Sequence, residues 1–94
     1  MDELKLKSGM LAYVDSLHSG LIPCKVLSIY RDEEHAYPIV KVRITKDIGM
    51  YQTYKRGEVL SFTPYIVVPR KAVYRPRSAC GHQRIRPYKV VLDK

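Results

Sequence analysis

The sequence predicts an all-β chain of five to six short antiparallel strands. Three observations predict it. No stretch sustains the period of an amphipathic helix. Apolar, β-branched runs recur between clusters of Gly, Pro, Ser and Asp at roughly eight- to twelve-residue spacing, the rhythm of a small barrel or sandwich. Finally, 94 residues suffice for one modest core, burying roughly 60–65% of the surface the unfolded chain exposes. The expectation is one domain over residues 1–94, with 76–94 as a basic C-terminal extension or edge strand.

The elements follow in order. "MDELKLK" reads as a short helical turn or a frayed end. A turn at Ser8–Gly9 precedes a strand from Met10 to Val14, and "DSLHSGLIP" is a loop with Ser19–Gly20 at its tip. In "LIPCKVLSIY" alternation puts Ile22, Cys24 and Val26 on one side and Lys25, Leu27 and Ile29 on the other. Pro23 lacks a backbone donor, which assigns it to the start of the strand or to an edge. "RDEEHAYP" reads as a polar hairpin loop. "IVKVRIT" is the clearest strand, with Val40, Val42 and Ile44 inward and Lys41 and Arg43 outward. "KDIG" turns the chain, and "MYQTYKRGE" is a long loop closed by Arg56–Gly57. "VLSF" is the fourth strand and "YIVVP" the fifth, bounded by Pro64 and Pro69. "RKAVY" predicts a 3-10 turn near residues 70–73 leading to a last short pairing, and "RPRSACGHQ" is a loop. "RIRPYKVVL" is a C-terminal edge strand interrupted by Pro87.

Charge is unevenly placed. Residues 1–47 carry seven basic and seven acidic side chains; residues 48–94 carry ten and two, which supplies the whole net charge of +8. Such asymmetry predicts a polyanionic partner: nucleic acid, an acidic protein or an anionic lipid surface. No run of about 18 apolar residues exists, so no membrane-spanning helix is expected. The N-terminus lacks the apolar segment of a secretory signal, which predicts a cytoplasmic protein with Cys24 and Cys80 as free thiols. Cys24 reads as a small core residue.

Little in the chain suggests catalysis. The histidines, His18, His35 and His82, all fall in expected loops. Cys80 and His82 stand two apart, but no acidic residue follows until Asp93 to orient a base. A zinc site would need Cys24 and His18 to converge on that pair, without the paired spacing such sites use. No Gly-rich phosphate loop is present. Asp32, Glu33 and Glu34 are consecutive, so their side chains diverge as a solvated tip. The reading is a non-enzyme without cofactor or metal.

The basic segment carries more. Seven basic residues, five of them Arg, stand between Arg70 and Lys89 with no acidic residue among them. On an extended chain Arg84, Arg86 and Tyr88 share one face, and Arg75 and Arg77 do the same beside Tyr74. Guanidinium forks match phosphate oxygens and tyrosine rings stack on unpaired bases. Arginine stems also shield sheet edges, the competing structural explanation. The candidate nucleic-acid contacts are Arg70, Lys71, Tyr74, Arg75, Arg77, Arg84, Arg86, Tyr88 and Lys89, with Tyr51, Tyr54, Lys55 and Arg56 as a second wall. Asn is absent, leaving Gln52 and Gln83 as the amides able to read adenine, and no recognition helix is expected. Contact with little sequence selectivity follows.

Two stretches resemble the SH3-like small-barrel superfamily of KOW and Tudor type. "KSGMLAYVDSLHSGLIPCKVLSI", residues 7–29, is similar to its opening hairpin through Gly9 and Gly20, departing from the KOW pattern at Cys24–Lys25. "YIVVPRKAVY", residues 65–74, resembles its end: a strand, a Pro, a 3-10 turn and a final apolar pairing residue, Val73. The resemblance implies a single small SH3-like barrel; the tail after Arg75 has no counterpart in it. The chain also resembles small bacteriophage and prophage proteins. Barrels of this class bind RNA, DNA, ribosomes, peptides or polymerases, and fold alone does not choose. The leading expectation is a nucleic-acid binder. The alternatives are an interaction module or inhibitor docking on an acidic protein, and a nucleotide-binding sponge at an oligomer interface.

Overall fold

Strands of alternating pattern dominate the computed structural model, which describes residues 4–16, 20–34, 36–49, 53–74 and 83–93. In chain order they are β1 (Lys5–Leu6), β2 (Leu11–Ser16), β3 (Gly20–Tyr30), β4 (Ile39–Ile44), β5 (Ile48–Gly49), β6 (Thr53–Tyr54), β7 (Val59–Phe62), β8 (Val67–Pro69), β9 (Val73–Tyr74), β10 (Arg84–Ile85) and β11 (Lys89–Val90). Two 3-10 turns, Pro64–Ile66 and Arg70–Ala72, flank β8. Five strands form one antiparallel sheet in the order β7-β4-β3-β2-β8. The fold is all-β, as the sequence predicts, and is compatible with a small barrel-like domain. The sheet is not closed, however. Among the described residues no ladder joins the edge strands β7 and β8. Pro64, with its fixed φ and missing N–H, suits the start of a helical turn. It converts the expected first half of the fifth strand into the Pro64–Ile66 turn. That turn carries the chain to the far edge, where all three residues of β8 pair with β2.

One face of this sheet is the core. Ala12 and Val14 of β2, Ile22, Cys24, Val26 and Ile29 of β3, and Val40, Val42 and Ile44 of β4 are all fully buried. Lys41 and Arg43 point to solvent as the alternation requires. Removing one Val or Ile side chain from water contributes about 1.5–3 kcal/mol, so these positions dominate the fold's stability.

Ile29 departs from simple alternation, which put it opposite Ile22. The β3–β4 register shifts between Val26 and Ser28, so Leu27 is an extra residue in a β-bulge. One inserted residue reverses the facing of everything after it and turns Ile29 inward. Pro23 is a second correction. It lies inside β3, a central strand, opposite Tyr13. It is tolerated because β4 ends at Ile44, beside its missing donor. There Thr45 N–H donates to the Pro23 carbonyl at 3.1 Å, and the return bond has no donor.

The long loop after β4 also contains structure. β5 and β6 pair as a short hairpin, Ile48 opposite Tyr54. Gly57 then takes a φ of +90°, which an L side chain rarely adopts, and its N–H donates to the Ile44 carbonyl at 2.7 Å.

Both ends of the chain join the body. The N-terminal stretch is neither helical nor frayed over its described residues: β1 pairs in parallel with β11, and Leu6 is fully buried. Backbone bonds run from Lys89 N–H to the Leu4 carbonyl (2.9 Å), Val91 N–H to Leu6 (2.8 Å) and Asp93 N–H to Ile29 (2.7 Å). The Asp93 carboxylate accepts in return from Ile29 N–H at 3.1 Å and from the Ser8 hydroxyl at 2.7 Å. β9 and β10 pair antiparallel, Arg84 opposite Tyr74, on either side of a connection outside the described residues. Because Leu6 is a core residue, Leu6→Ala lowers stability by about 2–5 kcal/mol. The measure is the urea midpoint at unchanged slope; a loss below about 0.5 kcal/mol, the range of ordinary surface substitutions, contradicts the assignment.

Candidate nucleic-acid interface

The pairing of β9 with β10 places the candidate residues. It lays the segment 70–74 against 84–86, and the Arg86 N–H closes the arrangement by donating to the Ala72 carbonyl at 2.8 Å. Lys71, Arg84 and Arg86 are exposed there. The Arg86 guanidinium lies over the Tyr74 ring, 4.7 Å from its centroid. Such contact is worth about 0.5–1 kcal/mol at the surface and limits where the charge can swing. Tyr74 is half-buried, so its ring supports an arginine rather than standing open. No ion pair joins Lys71, Arg84 or Arg86 to a carboxylate among the described residues.

Three further candidates are held differently, although one of them, Tyr88, lines a hollow together with Arg86. Arg70 is half-buried, its guanidinium 5.3 Å from the Tyr13 ring centroid and its Nε buried without a hydrogen-bond partner. Tyr88 turns inward. Its ring packs on the core, and its hydroxyl donates at 2.8 Å to the carbonyl oxygens of Pro64 and Val67, which share one proton. Burial first, and the Asp15 carboxylate second, push its ionisation upward, which keeps it a neutral donor. Lys89 is exposed on β11, opposite Lys5. Arg75 and Arg77 lie outside the described residues, as do His18, His35, Tyr51, Gln52, Cys80 and His82.

Of the proposed second wall, the described residues Tyr54, Lys55 and Arg56 stand elsewhere. Tyr54 packs against the core, while Lys55 and Arg56 are exposed beyond the Ile44 end of β4. The Arg56 N–H donates to the Asp47 carboxylate at 2.7 Å. The C-terminal arginines approach the other end, where β4 begins.

At that other end stand two tyrosines that sequence reasoning did not select. Tyr37 and Tyr65 are 54% and 73% exposed, and their rings meet edge to face with centroids 5.7 Å apart at 77°. Continuing the β4–β7 register beyond Val40 and Phe62 sets them opposite one another. The available signal was the reciprocal pair Tyr37–Pro38 and Pro64–Tyr65 flanking these two strands. Tyr65, Pro38, Ile85, Arg86 and Pro87 line an open groove of about 560 Å³; Tyr37, Ile39 and Phe62 line a neighbouring hollow of about 270 Å³. On the outer face of the sheet, Lys25 opposes Arg43, a second cationic pair visible only once register is known.

No family model, curated protein or solved structure matches the chain.

Among the described residues no group of three His, Cys, Asp or Glu side chains is placed to hold a metal ion. No helix among them is long and apolar enough to cross a membrane. Cys24 is buried, and desolvation pushes its thiol from 9.0 up to about 11, with Arg70 opposing the rise.

Two outcomes follow. Tyr88→Phe removes the shared donor from two carbonyls and costs about 1–2 kcal/mol, read as a lower urea midpoint. Cys24 has the opposite sign to a salt-bridged carboxylate: the folded state favours the neutral thiol. Its contribution is intact below 9.0 and fades as pH rises through about 11. Between about pH 8 and about pH 10.5, Cys24→Ala therefore loses less stability than the parent chain; equal losses contradict the shift.

Proposed function

We propose that the chain is a small basic β domain of SH3-like type that binds nucleic acid through the sugar-phosphate backbone, with little sequence selectivity. One observation carries the reading: the β9–β10 pairing gathers Lys71, Arg84 and Arg86 on adjoining segments, exposed and without carboxylate partners among the described residues. Cations merely kept for solubility gain from dispersal, since like charges repel. Gathered arginines match phosphate oxygens, and the Tyr74 ring holds one of them in place before any ligand arrives. The described residues contain no helix to enter a major groove, which favours backbone contact over base reading.

The binding is expected to be strongly salt dependent. Four to six phosphate contacts give a slope of log K against log salt of about −3 to −5. Arg84→Glu with Arg86→Glu abolishes retention on a heparin column and lowers stability in urea by no more than about 1 kcal/mol, the worth of the lost Arg86–Tyr74 contact, since both side chains are exposed. A flat salt response, or retention that survives the double change, overturns the reading.

A further inference from the structure

The groove beside the arginines has a chemistry that phosphate contact does not use. Its lining is mostly apolar, with Pro38, Ile85, Pro87 and Val90, and Arg86 and Tyr88 line it as well. Tyr65 lines the same groove and is the most exposed large hydrophobic side chain among the described residues, at 73%. Phosphates cannot cover such a surface, and a duplex cannot either, because the stacking of successive base pairs hides its base faces. A strand with unpaired bases offers both parts at once: a flat apolar face for a tyrosine ring and a charge for the neighbouring guanidinium.

We propose that this groove takes an unpaired nucleobase against Tyr65, so that the ligand of the basic surface is single-stranded. The inference rests on the nucleic-acid reading above and narrows it. Arg86 supplies the link between the two chemistries. It contacts the groove, it is seated on Tyr74, and Tyr74 pairs with Arg84. A strand running from Tyr65 past Arg86 toward Arg84 therefore meets a ring first and cations next. Tyr37, edge to face with Tyr65 at 5.7 Å, holds that ring from the far side. Asp32, Glu33 and Glu34 precede Tyr37 in the β3–β4 connection, an acidic run from which a phosphate backbone is repelled. An acidic peptide fits the cations equally well, but the ring faces give it no matching partner along its backbone.

The test uses the full chain and a labelled single-stranded oligonucleotide of about 15 nucleotides, within the length that small single-strand-binding domains cover. The same strand annealed to its complement and a heparin column complete the probes. Tyr65→Ala is expected to weaken single-strand binding about tenfold or more, while heparin elution is unchanged. Tyr65→Trp restores binding. Because the chain has no other tryptophan, its fluorescence then reports stacking directly, as quenching by the single strand. If Tyr65→Ala leaves single-strand affinity unchanged while Arg84→Glu with Arg86→Glu abolishes it, the groove assignment fails and the polyanion reading stands. If the arginine changes leave both oligonucleotide and heparin binding intact, the polyanion reading itself fails. A duplex bound as tightly as the single strand overturns the inference. So does a Tyr65-dependent, nuclease-resistant complex with an acidic protein in a chain that ignores oligonucleotides.

Discussion

The seating of residues 88–93 on the body of the fold is the constraint on which the candidate site depends. Cations gathered on short strands repel one another, and two-residue pairings such as β9–β10 do not hold by themselves. What holds them is remote from their charges. The Tyr88 hydroxyl reaches back to Pro64 and Val67, and Lys89, Val91 and Asp93 give their N–H groups to Leu4, Leu6 and Ile29. Arg86 and Arg84 precede that anchored stretch directly and inherit its position. In the function proposed above, the ordering cost of the segment is met in folding rather than in binding, which leaves more of a ligand's contact energy to appear as affinity.

The same seating completes the sheet's exposed backbone. Leu27 bulges out of β3 and Ile29 turns inward, but β2 begins too late in the ladder to cover the far side of Ile29. Asp93 fills that place twice, through its own N–H and through its carboxylate. A buried strand edge left without partners costs about as much as the hydrogen bonds it lacks. The bulge and Asp93 therefore act together: the first turns Ile29 inward beyond the start of β2, and the second satisfies its backbone there.

Most of the sheet was legible because it obeys a period. "IVKVRI" alternates, and its facing in the structure is the one the letters give. The Arg70–Ala72 turn and the β9 pairing after it were legible from Pro69 and the apolar Val73. What failed to show were features set by partners far along the chain. Ile29 changed face because of a bulge that no local pattern marks. Leu6 is a core residue because β11 lies beside it, and "MDELKLK" contains nothing that announces β11. Tyr88 reads as an open aromatic among arginines, yet two carbonyls contributed by residues 64 and 67 turn it inward. In the candidate site, the arginines were legible by composition. Tyr37 and Tyr65 were marked only by their neighbouring prolines, and that the two rings meet follows from the β4–β7 register.

The placement of the carboxylates explains why a positive surface survives folding. Asp32 accepts from Glu34 N–H, Asp47 from Arg56 N–H, Glu58 from Lys55 N–H and Asp93 from Ile29 N–H. Each is engaged with a backbone donor in a loop, at a bulge or near a chain end, and none is delivered to Lys71, Arg84 or Arg86 among the described residues. A carboxylate so engaged accepts a charge-assisted bond from the local backbone and stays where the turn needs it. The exposed arginines are left to water and mobile ions, and so stay open to a ligand of opposite charge. Beside them lies an apolar groove with an exposed ring, which mobile salt ions neither fill nor cover. A ligand that carries regularly spaced charge on one side and flat apolar surface on the other meets both demands, and an unpaired nucleic-acid strand has that form.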